Sequence, residues 1–354
     1  MPIVIYLGLI GNLLSLVTFL CTKLRSRTSS LYMGALAASD SGFLVVLSFA
    51  WLSERGVNMY KKDLCPATVF LSSAFACWSV WLTVSFTAER FLAVCYPLCK
   101  LRTSFRNRRP RIIIAATAVF SAALNAPLPA FVSIADSDFE DCSPHPDYES
   151  ALYYFNILDT GLTLILPILL VTVMNCMIAR AIYLFYARNK EQRRTQDFNQ
   201  DWRGRHGSSP NQRNSNLAAS RIDSATATSG GSSAHAAQSS VTRTLLLVST
   251  VFVLLNLPSY VMRIYVFLLL LGHSPRADPE VNSVPYVLQR YFMLLYYTNF
   301  AINFVLYNTS SSVFRASLRD CALRCWATLL DSLAELRSTM GIPSSTIQYE
   351  DTAM

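Results

Sequence analysis

Seven stretches of the chain are apolar over about the twenty residues a helix needs to cross a hydrocarbon core about 30 Å thick. They lie at about 2–22, 29–52, 66–96, 111–133, 152–186, 241–271 and 284–308. Polar positions gather between them, so the pattern predicts an all-α membrane protein, a bundle of seven transmembrane helices. The first run is short on its outer side, and the expectation is that a true N-terminal segment is missing ahead of it. A signal peptide is the competing reading of Pro2 to Cys21. Asn12 within the run, the basic flank after it and the lack of a cleavage site oppose that reading. The stretch from about 187 to 240 is rich in Ser, Gly, Asn, Ala and Gln, which predicts a disordered loop.

Charge orients the bundle. Lys23, Arg25 and Arg27 follow the first run, and Lys100, Arg102, Arg106, Arg108, Arg109 and Arg111 follow the third. Arg188, Lys190, Arg193 and Arg194 follow the fifth, whereas the loop after the fourth holds Asp136, Asp138, Glu140, Asp141, Asp147 and Glu149 without Lys or Arg. Basic loops stay in the cytoplasm. The predicted topology is therefore multi-pass in the plasma membrane, with the N-terminus extracellular, the C-terminus cytoplasmic and the 187–240 stretch as third cytoplasmic loop.

Composition agrees. Of 354 residues, 52% are hydrophobic and 15% charged, against roughly 25% charged in soluble domains. The net charge of +8 falls in inter-helix patches, which argues against a nucleic-acid groove. No Cys or His cluster has metal-ligand spacing, and all four histidines lie in loops. HExxH, GxSxG and an intramembrane carboxylate dyad are absent, since Asp40 and Asp159 stand on different levels of the bundle. The expectation is a chain that is no enzyme and holds no cofactor. A transporter is the other class weighed, and the lack of an internal repeat counts against it.

Polar residues inside apolar helices are costly and mark partners within the bundle. Asn12 lies in GNLLS of the first helix, Asp40 in LAASD of the second and Ser79 in the third. The seventh carries TNFAINFVLY, with Asn299, Asn303 and Tyr307. At these positions the chain resembles a rhodopsin-like (class A) G-protein-coupled receptor, and the resemblance covers nearly all of it. Glu89, Arg90 and Phe91 match the family's acid-arginine-aromatic triplet, with Pro97 and Leu98 at the usual offset. Val80, Pro167 and Phe252 match its packing triad, and Pro167 and Pro258 mark kinks in helices five and six. The resemblance also implies a disulfide between Cys65 and Cys142 on the oxidising side. A receptor domain over 1–326 and a cytoplasmic tail over 327–354 follow from the same match.

Several positions depart from the family pattern. Asn256 stands two residues before Pro258 where a tryptophan is usual, and Phe304 replaces a proline in the seventh helix. FSAALNAP lacks the fourth helix's tryptophan, and Asn175 takes a tyrosine's place in the fifth. These substitutions resemble those of invertebrate FMRFamide-type neuropeptide receptors.

The resemblance implies roles. Glu89 holds Arg90 at rest, and Arg90 meets a heterotrimeric G protein when helix six swings about Pro258, with Asn303 and Tyr307 completing the switch. A second acid at the foot of helix six is missing, with Gln238 near its place, so measurable basal activity is expected. Asp40, Ser79, Asn299 and Asn303 form a candidate site for an allosteric sodium ion; the competing reading is a protonated Asp40 bonded to amides. Ser72 and Ser73 replace the amine-binding acid of helix three, and Tyr297 replaces a retinal lysine. That leaves a polar and aromatic cavity from Trp51, Glu54, Ser72, Asp159, Tyr260, Arg263, Gln289, Met293 and Tyr297. It suits an extracellular peptide with a basic and aromatic end, against the alternative that Asp159 and Arg263 pair with each other. Phe314, Leu318, Cys321 and Cys325 share one face of a short eighth helix lying on membrane lipid, with Cys321 and Cys325 as palmitoylation candidates. Ser344, Ser345 and Thr346 are candidate targets of receptor kinases that recruit arrestin.

Overall fold

The computed structural model describes residues 1–53, 55, 64–96, 109–134, 142–206, 246–265 and 284–339. Helix α1 spans Pro2–Cys21, α2 Thr28–Ser53, α3 Leu64–Cys95 and α4 Arg109–Asn125, which a 3₁₀ turn extends to Ala130. Helix α5 has two segments, Glu149–Asp159 and Leu166–His206, and α6 spans Leu246–Tyr265. Helix α7 runs Val284–Ala301 and resumes as Asn303–Ser310, and α8 spans Ser312–Thr339. Among the described residues, α1 to α6 are each long and apolar enough to cross a membrane. The seventh expected span is α7, broken at Ile302.

Helix α3 touches α2, α4 and α5, while α1 packs on α2 and α7. Ile3, Leu7 and Ile10 of α1 stay 71%, 65% and 57% exposed, as lipid-facing side chains of a membrane helix are. Inward side chains form two apolar clusters. One holds Phe19, Tyr32, Leu82, Phe86, Tyr307 and Phe314, and the other Ile5, Phe43, Leu44, Leu47 and Phe300. Between them on their helices come buried Asn12, Asp40, Ser79 and Asn303. The bundle is thus apolar at two levels with a polar layer between.

Close approach at α1 needs glycine. A Cβ on Gly8 would lie 2.7 Å from Ala301 Cβ and 3.0 Å from its Cα, and one on Gly11 would lie 2.9 Å from Phe304 Cβ. Through this gap Asn12 Nδ2 donates to the Phe300 carbonyl at 2.8 Å. The α7 break lies two residues on, at Ile302, without the family's proline.

Two expectations change. Ahead of the kink expected at Pro167 a π turn spans Thr160–Ile165, with the Leu166 N–H bonded to the Gly161 carbonyl; wide turns of this kind, like proline, are causes of helix kinks. The loop expected to be disordered from about 187 is helical to His206. Once nucleated in the membrane, a helix adds residues at no further nucleation cost, and 187–203 carries neither Gly nor Pro. The remainder, 207–240, lies outside the described residues, as do 241–245 and 266–271 of the sixth expected span. The eighth helix is longer than expected, running 28 residues and passing the 326/327 boundary.

Beyond α4 the strand Val132–Ile134 pairs antiparallel with Cys142–Pro144, and Ile134 faces Cys142. The disulfide ties this strand pair to the start of α3. Cys65 and Cys142 are bonded with Cα atoms 5.6 Å apart.

Candidate ligand cavity and signalling core

Two cavities open at the end of the bundle that carries the disulfide. The deeper one, about 280 Å³, lies between α3, α5, α6 and α7. Of the expected pocket residues, Asp159, Tyr260, Arg263, Gln289 and Met293 line it. The wider one, about 800 Å³, is walled by α2 and α7 and includes Trp51, Gln289, Met293 and Tyr297. Gln289 and Met293 line both, so the two spaces adjoin. Ser72 lines neither cavity; its hydroxyl bonds the Val69 carbonyl of its own helix at 3.0 Å, and Ser73 faces the deeper space instead. Glu54 lies outside the described residues.

Asp159 is engaged twice. Arg263 Nη1 donates to Asp159 Oδ2 at 3.2 Å, and the Thr163 hydroxyl donates to Oδ1. The Asp159 side chain is 18% exposed and that of Arg263 56%. This is the alternative weighed from the sequence, in which the two residues neutralise each other and Asp159 is not left open for a basic ligand group. A ligand must therefore compete with Arg263 for this carboxylate.

Sequence reasoning missed Tyr296, Met262, Thr163 and Cys77 in the deeper cavity, and Arg55 and Arg290 in the wider one. Tyr296 adjoins Tyr297, and the period of a helix could have placed it on the inward face. Arg55 and Arg290 carried no signal, since arginines near helix ends ordinarily face solvent or headgroups.

Below the cavities Asp40 is fully buried and accepts from Ser79 Oγ and Asn303 Nδ2, each at 2.6 Å. Asn299 is buried nearby on α7, with no bond to Asp40. The layer also holds buried oxygens without a partner, Asn12 Oδ1, Ser15 Oγ and the Tyr307 hydroxyl. One carboxylate amid hydroxyl and amide oxygens fits a hard monovalent cation, which prefers oxygen ligands. Asn303, however, turns its donor toward the carboxylate, so the arrangement serves amide pairing as well as an ion.

At the opposite end Glu89, Arg90 and Phe91 close α3, all half-buried. Val80, Pro167 and Phe252 are buried on α3, α5 and α6. Asn256 is fully buried, and its Nδ2 donates to the Phe252 carbonyl at 2.7 Å, two residues before Pro258. Asn175, in the tyrosine's place, accepts from Ser249 Oγ at 3.0 Å and so links α5 to α6.

The profile of the 7 transmembrane receptor (rhodopsin family) matches residues 11–307. The chain belongs to this family. It is 25% identical to the thyrotropin-releasing hormone receptor of Gallus gallus over 90% of this chain and 77% of that receptor. It is likewise 25% identical to apelin receptor A of Xenopus laevis over 54% of the chain, spanning about half (55%) of that receptor. A shorter match, 29% identical over 37% of the chain and 35% of the relative, is to atypical chemokine receptor 2 of Mus musculus. As a rhodopsin-family receptor the chain uses α7 with its bent NFVLY segment and continues into α8. There Arg315 donates to the carbonyls of Asn308 and Thr309 at 2.7 and 3.1 Å, closing the end of α7. Phe314 seals the junction against Phe19 and Tyr307, with centroids 5.1 and 5.8 Å away. Cys321 is half-buried and Cys325 exposed on α8, both free. Desolvation, together with the adjoining Cys325, pushes the Cys321 thiol up.

Proposed function

We propose that this chain is a plasma-membrane receptor for a neuropeptide and passes binding on to a heterotrimeric G protein. The disulfide end is extracellular and the Arg90 end cytoplasmic. The observation that carries the reading is the adjoining pair of cavities, polar and aromatic, stacked over the Asp40 layer on the helices that end at Arg90. Relatives named as receptors for thyrotropin-releasing hormone and apelin support a peptide as ligand, and the substitutions at Asn256 and Phe304 support an FMRFamide-type peptide. A peptide of mixed polarity suits these walls. Aromatic groups pack on Tyr260 and Tyr297, and a basic group competes with Arg263 for Asp159.

Signalling is a population shift. A ligand moves the balance only by its differential affinity for the two states. The cavity walls belong to α3, α5, α6 and α7, so a peptide that draws α6 inward at Arg263 levers its other end outward about Pro258 and opens the face with Arg90. Asn256 replaces a bulky ring in this lever, and the missing second latch leaves the resting state loosely held. An allosteric sodium ion at Asp40 and Ser79 favours the resting packing. Receptor kinases and arrestin act on the tail, and lipid and palmitate at Cys321 and Cys325 hold α8.

The test is a screen of an amidated neuropeptide library on cells expressing the full chain, with calcium and cyclic-AMP readouts. A peptide response that Arg90→Ala abolishes at equal surface expression is the expected result, together with basal output above mock-transfected cells. A response unchanged by Arg90→Ala, or none to any peptide, removes the reading.

A further inference from the structure

Side chains join α5 to α6 on both sides of Pro258. Five residues after it Arg263 meets Asp159, and nine residues before it Ser249 meets Asn175, with Oγ and Oδ1 3.0 Å apart. The first contact belongs to the ligand cavity. The second lies on the half of α6 that leads toward the Arg90 end, and the peptide reading gives it no part. Ser249 is 1% exposed and Asn175 half-buried. A hydroxyl both donates and accepts, so the pair is bonded with either end of the amide turned toward the serine.

Asn175 is held to α3 and does not travel with α6. Helix α5 packs along α3, and two residues past Asn175 the Met177 carbonyl accepts from the thiol of Cys95, the last residue of α3, at 3.8 Å. Val171 and Ile178, on either side of Asn175, are buried. At 1.5 Å per residue Ser249 lies about 13.5 Å from Pro258, so turning the inner arm of α6 by about 10° carries the serine about 2 Å. Directed away from α3, that displacement takes the 3.0 Å contact beyond hydrogen-bond reach.

Neither partner is stranded by the opening. The Ser249 hydroxyl turns to the Leu246 carbonyl of its own helix, 3.2 Å away, and half-buried Asn175 is reached by water from the opened face. The contact therefore weighs on the closed arrangement alone. Its weight is that of one ordinary hydrogen bond, a factor of about five in a population.

We propose that Asn175 and Ser249 form a resting latch between α5 and α6, positioning residues that hold the inner arm of α6 against the α3–α5 pair until a ligand turns it about Pro258. This rests on the reading of the chain as a receptor that signals by moving α6, and it adds which side chains resist that movement. A latch of this strength is light enough for basal output to persist.

Val248 beside the serine is 3% exposed and serves as reporter. Val248→Cys in the purified full-length receptor places a thiol that a maleimide reaches when the arm moves out, and its labelling rate is corrected for the parent receptor's own cysteines. The expected result is labelling roughly fivefold faster with Ser249→Val or with Asn175→Ala, and no faster still with both, since the two share one bond. Ser249→Thr has the size of the valine variant and keeps the hydroxyl, so it should label at the parent rate. Rates that no substitution changes, equal acceleration by threonine and valine, or effects of the two sites that multiply each overturn the proposal. Where Ser249→Val does not fold, Asn175→Ala against the parent decides. In cells at equal surface expression, basal output should be higher with Ser249→Val than with Ser249→Thr, and an output that treats them alike overturns the latch as a brake on signalling. Accelerated labelling in a receptor without G-protein output in any variant leaves the latch standing and removes the coupling reading instead.

Discussion

Asp40 is where a single side chain carries the most information. It is fully buried, yet its two oxygens meet only two protein donors, Ser79 and Asn303. Isolating a carboxylate from water is expensive unless a cation or a proton compensates. Sodium chloride should therefore stabilise the purified receptor relative to choline chloride, by about 1.4 kcal/mol at ten times the dissociation constant, read as a higher unfolding temperature. Asp40→Asn should abolish that difference, and a wild type indifferent to sodium ends the ion proposal. Asp159 and Arg263 pose a different question, because their pair at 3.2 Å is partly exposed and is worth up to ~1 kcal/mol. Asp159→Arg should lower the unfolding temperature by putting two guanidinium groups face to face, and adding Arg263→Asp should recover it. A single reversal no worse than the double one would show that the contact contributes nothing.

Between elements, the α1–α7 seam shows how local composition controls geometry. Gly8 and Gly11 let the backbones approach closely enough for Asn12 to take the Phe300 carbonyl, and α7 bends two residues later. Adding a side chain at Gly8 forces either Ala301 backbone or Leu44 to move, since both lie within 3.0 Å of the new Cβ. Overpacking of this kind costs about 1–3 kcal/mol. Gly8→Val should lose that much in thermal unfolding of the purified receptor, whereas Gly161→Ala, with no atom within 4 Å of its new Cβ, should lose far less. Equal losses would show that crowding at the seam is not the cause.

For the molecule as a whole, the architecture is a layered lever. Two cavities lie at one end and Arg90 at the other, with a polar layer between two apolar clusters. Seven crossings also require the chain ends on opposite faces of the membrane. Epitope tags on intact cells should react at the N-terminus and require permeabilisation at the C-terminus. Both tags accessible on one side would contradict the topology.

The number of spans, their order and the loops of each sign were legible along the chain, because membrane burial acts on each helix separately and needs only local hydrophobicity. The Cys65–Cys142 pair and the Asp40–Ser79–Asn303 contacts were legible through family spacing, which encodes pairings that one helix alone does not. Other features arise only when helices meet. That Asp159 turns to Arg263 depends on the proximity of α5 and α6, and that Ser73 and not Ser72 faces the cavity depends on the rotation of α3. That Asn12 bonds the Phe300 carbonyl beside the α7 bend depends on two helices meeting from 288 residues apart in sequence. The continuation of α5 to His206 was hidden by averaging a helical beginning with the polar composition after it. Local pattern determines which segments enter the membrane; side-chain rotation, helix proximity and competition for hydrogen bonds decide what those segments do once there.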